Sequence, residues 1–358
     1  MQQLSELIGS ARRLALVGLA KNTGKTETLA AALRELRERG RRVGVTSVGR
    51  DGEERDVIDI RIEKPRVELW AGALVATTDA LLRAGAIPHE IVQETGVRTP
   101  LGRVLIARLH AQGTIEVAGP SAAADVREVC DAMLAHGAEQ VLIDGAIDRR
   151  AASSPAVSDG LVMSTGAALH EEIELLVART RDAVDLVRLP ELGDERVRAI
   201  AASNPASVLL GEPDEEPVAL HPRFVLTSTA ADIAQLLRAR PSATRLIVRG
   251  ALCEPFLAEL LRACKDGSPV GGLRSLELVV ADPTRVFLTD HGVDWYHRQG
   301  LSIAVLAGID LRAITVNPVA PHSHSFDSAR LRAMIEEVIP DVPVLDVRDP
   351  TYNLVPAA

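Results

Sequence analysis

The chain has 358 residues, 47% hydrophobic and 2% aromatic, with a formal net charge of −9. That length suits one large α/β domain or two ordinary ones, and the acidic balance, with no run of five basic residues, argues against nucleic acid as a partner. Cys130, Cys253 and Cys264 are scattered and form no Cys-x-x-Cys, so they read as reduced thiols of a cytoplasmic protein; the start lacks a signal-peptide pattern and no apolar run nears the ~18 residues of a membrane span.

In chain order, Ser5 to Arg13 reads as a short helix and Leu14 to Val17 as a buried strand. A loop from Gly18 leads into a helix over Thr26 to Arg39, where Leu29, Ala32, Leu33 and Leu36 recur three or four apart, and Gly40 stops it. Val43 to Val48 is a second strand, which makes a βαβ unit. Val104 to Leu109 and Thr114 to Val117 read as a hairpin or edge pair, Ser121 to Gly137 as a helix, and Gln140 to Ile143 as a buried strand ending at Asp144. A helix over Ala167 to Arg181 and a strand over Val184 to Arg188 follow. Residues 211–217, with two prolines and four acids, suit a linker between a nucleotide-binding domain at 1–210 and a C-terminal α/β domain at 218–358. Beyond it the predicted strands are Phe224 to Leu226, Arg245 to Arg249, Leu276 to Val280, Ala313 to Val316 and Val342 to Val347. The predicted helices are Ala230 to Arg238, Pro255 to Cys264 and Asp327 to Val338. The fold class expected is α/β: a P-loop NTPase-like, mostly parallel sheet flanked by helices, with a second α/β region at the C-terminus.

The segment Gly18-Leu-Ala-Lys-Asn-Thr-Gly-Lys-Thr26 lies between a strand and a helix. There a Gly-containing loop turns backbone N–H groups toward phosphate oxygens, and the helix start adds partial positive charge. Lys25 is placed to reach the terminal phosphates of ATP or GTP, and the Thr26 hydroxyl to bind Mg²⁺. Lys21, Asn22, Thr23, Gly24 and Thr28 complete the cradle. Five residues, rather than the usual four, separate Gly18 from Gly24-Lys-Thr. Two acids are candidate partners. Asp144, at the end of an apolar strand, would hold Mg²⁺, and Asp51, after the second strand, would contact Mg²⁺ or orient water. Solvated or capping roles are the bland alternative for Lys21 and Asp51. Arg149, Arg150, His322 and His324 read as exposed residues rather than ligands, and 290–297 as a capped helix start.

The five-residue spacing resembles dethiobiotin synthetase and its P-loop relatives. That likeness implies that Asn317, at the end of the strand Ile314-Thr-Val-Asn317, reads a purine base, with an Asn-Pro turn as the alternative; if it does, its strand joins the first sheet. It also allows a homodimer, with Lys21 as a second phosphate-reaching lysine. Two longer blocks, Val17 to Thr26 and Ile143-Asp-Gly-Ala-Ile-Asp-Arg-Arg-Ala-Ala-Ser-Ser-Pro155 with Ser164-Thr-Gly-Ala167, resemble the reactivase-associated P-loop subunit of lysine 5,6-aminomutase systems. This resemblance covers residues 10–170. It implies a nucleotide-dependent accessory or chaperone protein whose partner is a B12-dependent aminomutase or a second reactivase subunit. The alternative is an ATP-dependent ligase or kinase acting on a small carboxylate.

Overall fold

A computed structural model describes residues 3–49, 66–146, 150–220, 225–265, 276–321 and 323–352. The expected ligand Asp51, as well as Arg149 and His322, lies outside them. The chain forms two bodies, Met1–Arg181 with Asp310–Ala358, and Asp182–Ile309.

The first body begins with α1 (Leu4–Ile8), β1 (Arg13–Gly18), α2 (Lys25–Glu38), β2 (Val43–Ser47), β3 (Val67–Leu69), β4 (Leu74–Thr78) and α3 (Asp79–Gly85). It continues with β5 (His89–Thr99), β6 (Gly102–Leu109), β7 (Gly113–Ile115), α4 (Ala123–Ala135), β8 (Gln140–Ala146) and β9 (Gly160–Gly166), and α5 (Ile173–Val187) begins in it and ends in the second body. The intervening body contains α6 (Glu195–Ser203), β10 (Val208–Leu210), β11 (Val218–Ala219), α7 (Ala230–Ala239), β12 (Arg245–Ile247) and β13 (Leu252–Cys253). It ends with α8 (Glu254–Lys265), β14 (Leu276–Val280), β15 (Val286–Phe287), α9 (Val293–Arg298) and β16 (Leu301–Val305). The chain then returns to the first body with β17 (Leu311–Asn317), α10 (Ser328–Val338) and β18 (Val344–Leu345).

Among the described residues, nine strands form the first sheet, in the order β18-β17-β9-β1-β8-β2-β4-β6-β5. The seven from β18 to β4 run parallel, and β6 and β5 close one edge antiparallel. Burial is unbroken along β2 and β9 and nearly so along β1, rather than alternating. That pattern belongs to parallel strands covered on both faces. Helix α2 packs on β1 and β9, α4 on β2 and β8, and α10 on β17 and β18. The core joins Leu14 and Leu16 of β1 to Leu29, Leu33 and Leu36 of α2, Val45 of β2 and Tyr352 near the chain end. The second body has its own five-stranded sheet, β11-β10-β12-β14-β16, and its own core around Leu246, Phe256, Leu260, Leu278 and Ile303. No described helix is long and apolar enough to cross a membrane.

The mixed α/β class and the large, mostly parallel sheet are as expected; several local expectations are corrected. The strand predicted over 184–188 is the end of α5, because the buried Ile173, Leu176, Val177 and Val184 continue one helical stripe. The predicted hairpin at 104–117 does not form: β6 pairs with β4 and β5, and β7 with β3. Strands β1 and β2 are parallel but not adjacent, because β8 inserts between them. The proline- and acid-rich segment 211–217 is a surface connection between β10 and β11, which pair antiparallel, so it divides no domains. The body boundaries fall instead at 181/182 and 309/310, and β17 and β18 belong to the first sheet.

Candidate functional site

Strand β1 leads through α2 to β2 on one side of itself, whereas β8 leads to β9 on the other. Such a reversal opens a crevice at the carboxyl ends of parallel strands, where ligands of open α/β sheets bind. The register aligns those ends. Ser47 of β2 stands beside Asp144 of β8, Gly18 of β1 beside Ser164 of β9, and Asn317 of β17 beside Gly166 of β9.

Loop 19–24 crosses this crevice. Its path is set by Asn22 and Gly24, both with left-handed backbones (φ 66° and 92°), a region open to Gly and tolerated by Asn. Thr23 is buried and donates its hydroxyl to the Ala20 carbonyl at 2.8 Å, while Lys21 and Asn22 are exposed. A Cβ on Gly24 would stand 2.9 Å from Asn317 Cβ, and one on Gly18 would stand 2.8 Å from Thr23 Oγ1. Both glycines therefore let the loop fold back on itself and against β17. Asn317 completes the wall: its amide donates to the Asn22 carbonyl at 2.9 Å, and its Oδ1 accepts the Val319 N–H at 3.2 Å. The side chain expected to read a base thus holds the loop in this structure.

Helix α2 begins at Lys25. A helix start leaves the N–H groups of its first turn without intrahelical acceptors, and its dipole favours an anion there. Thr26 is exposed in that turn. Lys25 Nζ, at the first residue of α2, lies 2.5 Å from Oδ1 of Asp144 on β8, and both side chains are mostly shielded from water. The contact is an ion pair without hydrogen-bond geometry, and Oδ1 is buried with no hydrogen-bond donor. A carboxylate oxygen in that condition has the donor chemistry of a hard divalent cation.

Thr28 does not face the crevice. It is buried, and its hydroxyl meets Ser164 Oγ at 3.1 Å and Thr315 Oγ1 at 2.7 Å, which are themselves 2.8 Å apart. This hydroxyl triangle joins α2, β9 and β17 behind the loop. Ser164 and Thr315 were not singled out as site residues from the sequence, although Ser164 follows the apolar run Leu161-Val-Met163. Opposite the loop, the Val48 N–H donates to the Asp144 carbonyl at 2.9 Å and the Gly49 N–H to Pro120 at 2.7 Å. These bonds carry the end of β2 to the same crevice.

The structure therefore brings Gly18, Gly24, Lys25, Asp144 and Asn317 together. No protein-family model matches the chain, and no curated protein matches it.

Proposed function

We propose that the β1–α2 loop binds the phosphates of a nucleoside triphosphate, ATP or GTP, with Mg²⁺, and that the chain is a P-loop NTPase-like accessory or chaperone protein. The observation that supports this reading most is the Lys25–Asp144 ion pair at the start of α2. A lysine opening a helix and a carboxylate on the strand beside the one that feeds it are the parts that a phosphate–metal complex needs.

In this reading the N–H groups of Gly24, Lys25 and Thr26 face the phosphates. The Lys25 ammonium exchanges Asp144 for a terminal phosphate oxygen, which frees the carboxylate. Asp144 and the Thr26 hydroxyl would hold Mg²⁺, with Asp51 as a further candidate from outside the described residues. Bound there, the ion neutralises charge on the phosphate oxygens. Lys21, exposed on the loop, is available to the same anion.

The client of such a protein comes from the resemblance of 143–155 and 164–167 to aminomutase reactivase subunits, which makes a B12-dependent aminomutase the first partner to test. A ligase or kinase for a small carboxylate is the second reading, supported by the five-residue spacing between Gly18 and Gly24.

The test is hydrolysis of ATP and GTP with Mg²⁺, by the protein alone and with an inactivated aminomutase plus adenosylcobalamin. Slow turnover that the mutase stimulates is expected, and fast turnover without it would favour the ligase or kinase reading. Lys25→Ala should abolish nucleotide binding, a loss on the order of 3 kcal/mol or more. Wild-type affinity in that variant would refute the site.

A further inference from the structure

One face of α2, from Thr26 through Leu33 and Arg34 to Arg37, forms a wall of a groove of about 430 Å³, and Arg66, Val67, Glu68, Trp70 and Thr114 line the rest. That face follows helical spacing, and the eleven steps from Thr26 to Arg37 span about 16 Å at ~1.5 Å per step. The groove has the volume of a small-molecule site. Its apolar part is formed by Leu33, which is buried, and Trp70, which packs against the core. Its polar part is cationic. Among the described residues that line it, Arg34, Arg37 and Arg66 outnumber the single carboxylate, Glu68, in a chain whose net charge is −9.

Arg37 is held in place. Its Cζ lies 5.6 Å from the centre of the Trp70 ring, and its Nη2 donates to Gln112 Oε1 at 3.0 Å. Gln112 Nε2 in turn donates to Glu68 Oε1 at 2.5 Å. Glu68 is thereby engaged through Gln112. A guanidinium fixed over an aromatic ring beside two others is preorganised for a planar or tetrahedral oxyanion on an apolar body.

We propose that this groove binds a small organic acid, with its flat or branched apolar body on Leu33 and Trp70 and its carboxylate or phosphate among Arg34, Arg37 and Arg66. The site shares only Thr26 with the proposed nucleotide site, and it stands whether or not that reading holds.

Trp70 reports on the site directly, since the chain has two tryptophans and Trp295→Phe leaves Trp70 alone. Phenylacetate and phenyl phosphate serve as probes, with phenylacetamide as the neutral match. At least one acid should change Trp70 fluorescence saturably, and calorimetry on the unaltered chain should give the same isotherm. Binding should be at least about tenfold weaker, ~1.4 kcal/mol, for phenylacetamide and in an Arg34→Gln/Arg37→Gln variant that retains its far-UV circular dichroism. The acid that binds tells a carboxylate site from a phosphate site. Four results would overturn the proposal: no saturable response to either acid, equal binding of the amide, full affinity in the double variant, or displacement of the acid by equimolar inorganic phosphate. Competitive displacement by MgATP would also overturn it, because the groove would then be part of the nucleotide site.

Discussion

Gly24 is the residue on which the loop most depends. Two independent demands meet there: a backbone φ of 92°, and a neighbour, Asn317 Cβ, that would lie 2.9 Å from any added Cβ. Gly24→Ala answers neither. The left-handed strain costs on the order of 1 kcal/mol, and the contact forces the loop or β17 to shift. The expected outcome is a loss of about 1–3 kcal/mol in stability, measured by urea denaturation, and weaker nucleotide binding from a displaced Lys25. Gly40 makes the control. Its φ is also positive, at 66°, but a Cβ there meets nothing within 4 Å. Gly40→Ala should therefore show the backbone cost alone and leave nucleotide binding intact. Equal effects of the two substitutions would mean that the Asn317 contact is unimportant.

At the scale of elements, the sequence announced what was local and missed what was distant. Strand β1, helix α2 and strand β8 were legible because each is an unbroken apolar run or a stripe at helical spacing. Lys25 and Asp144 were legible because Lys25 opens such an element and Asp144 directly follows the apolar run Val141-Leu-Ile143. Strand β5 was not, since it is an edge strand with irregular register and mostly solvent-facing side chains. Strand β9 hides between two glycines. The hydroxyl triangle was the least visible feature, because Thr28 finds its partners 136 and 287 residues away. Its use is to tie three elements together, and Thr315→Val tests that use. The change keeps the shape and removes one hydroxyl. Thr28 and Ser164 still bond each other, and Thr28 also donates to the Gly24 carbonyl at 3.1 Å. The expected cost is therefore about 2 kcal/mol, the net worth of the two buried hydrogen bonds that Thr315 makes. A loss beyond ~3 kcal/mol would mean that the triangle acts as a cooperative unit rather than a set of pairs.

For the whole molecule, two bodies with separate cores each carry a buried, heavily bonded glutamate. In the first, Glu35 accepts from the N–H and hydroxyl of Ser5, both at 2.8 Å, and from Tyr352 at 2.7 Å, which joins α1, α2 and the last described residue. In the second, Glu254 accepts from the N–H groups of Thr289, Asp290 and His291 and the hydroxyls of Thr289 and Tyr296, at 2.5–3.0 Å. Burial alone would raise the Glu254 pKa. The donors, led by the Asp290 N–H, outweigh it and hold the carboxyl at about 2, below its ordinary 4.5. The sign follows from that depression: the carboxylate stabilises the fold above about pH 4.5, and the contribution fades as pH falls toward about 2. Its size is on the order of 3 kcal/mol. Glu254→Gln should remove it, because an amide carries no charge and sets its own NH₂ against the donors. At neutral pH the variant should lose hydrogen-exchange protection in α8, β14 and β16, while α1, α2 and β1 keep theirs. Its deficit should shrink steadily as the pH is lowered from about 4.5 toward 2. Tyr352→Phe should show the converse, with protection lost first in α1 and α2, where the Leu4 N–H and Glu35 lose their partner. Equal loss in both bodies from either substitution would show that they unfold as one unit.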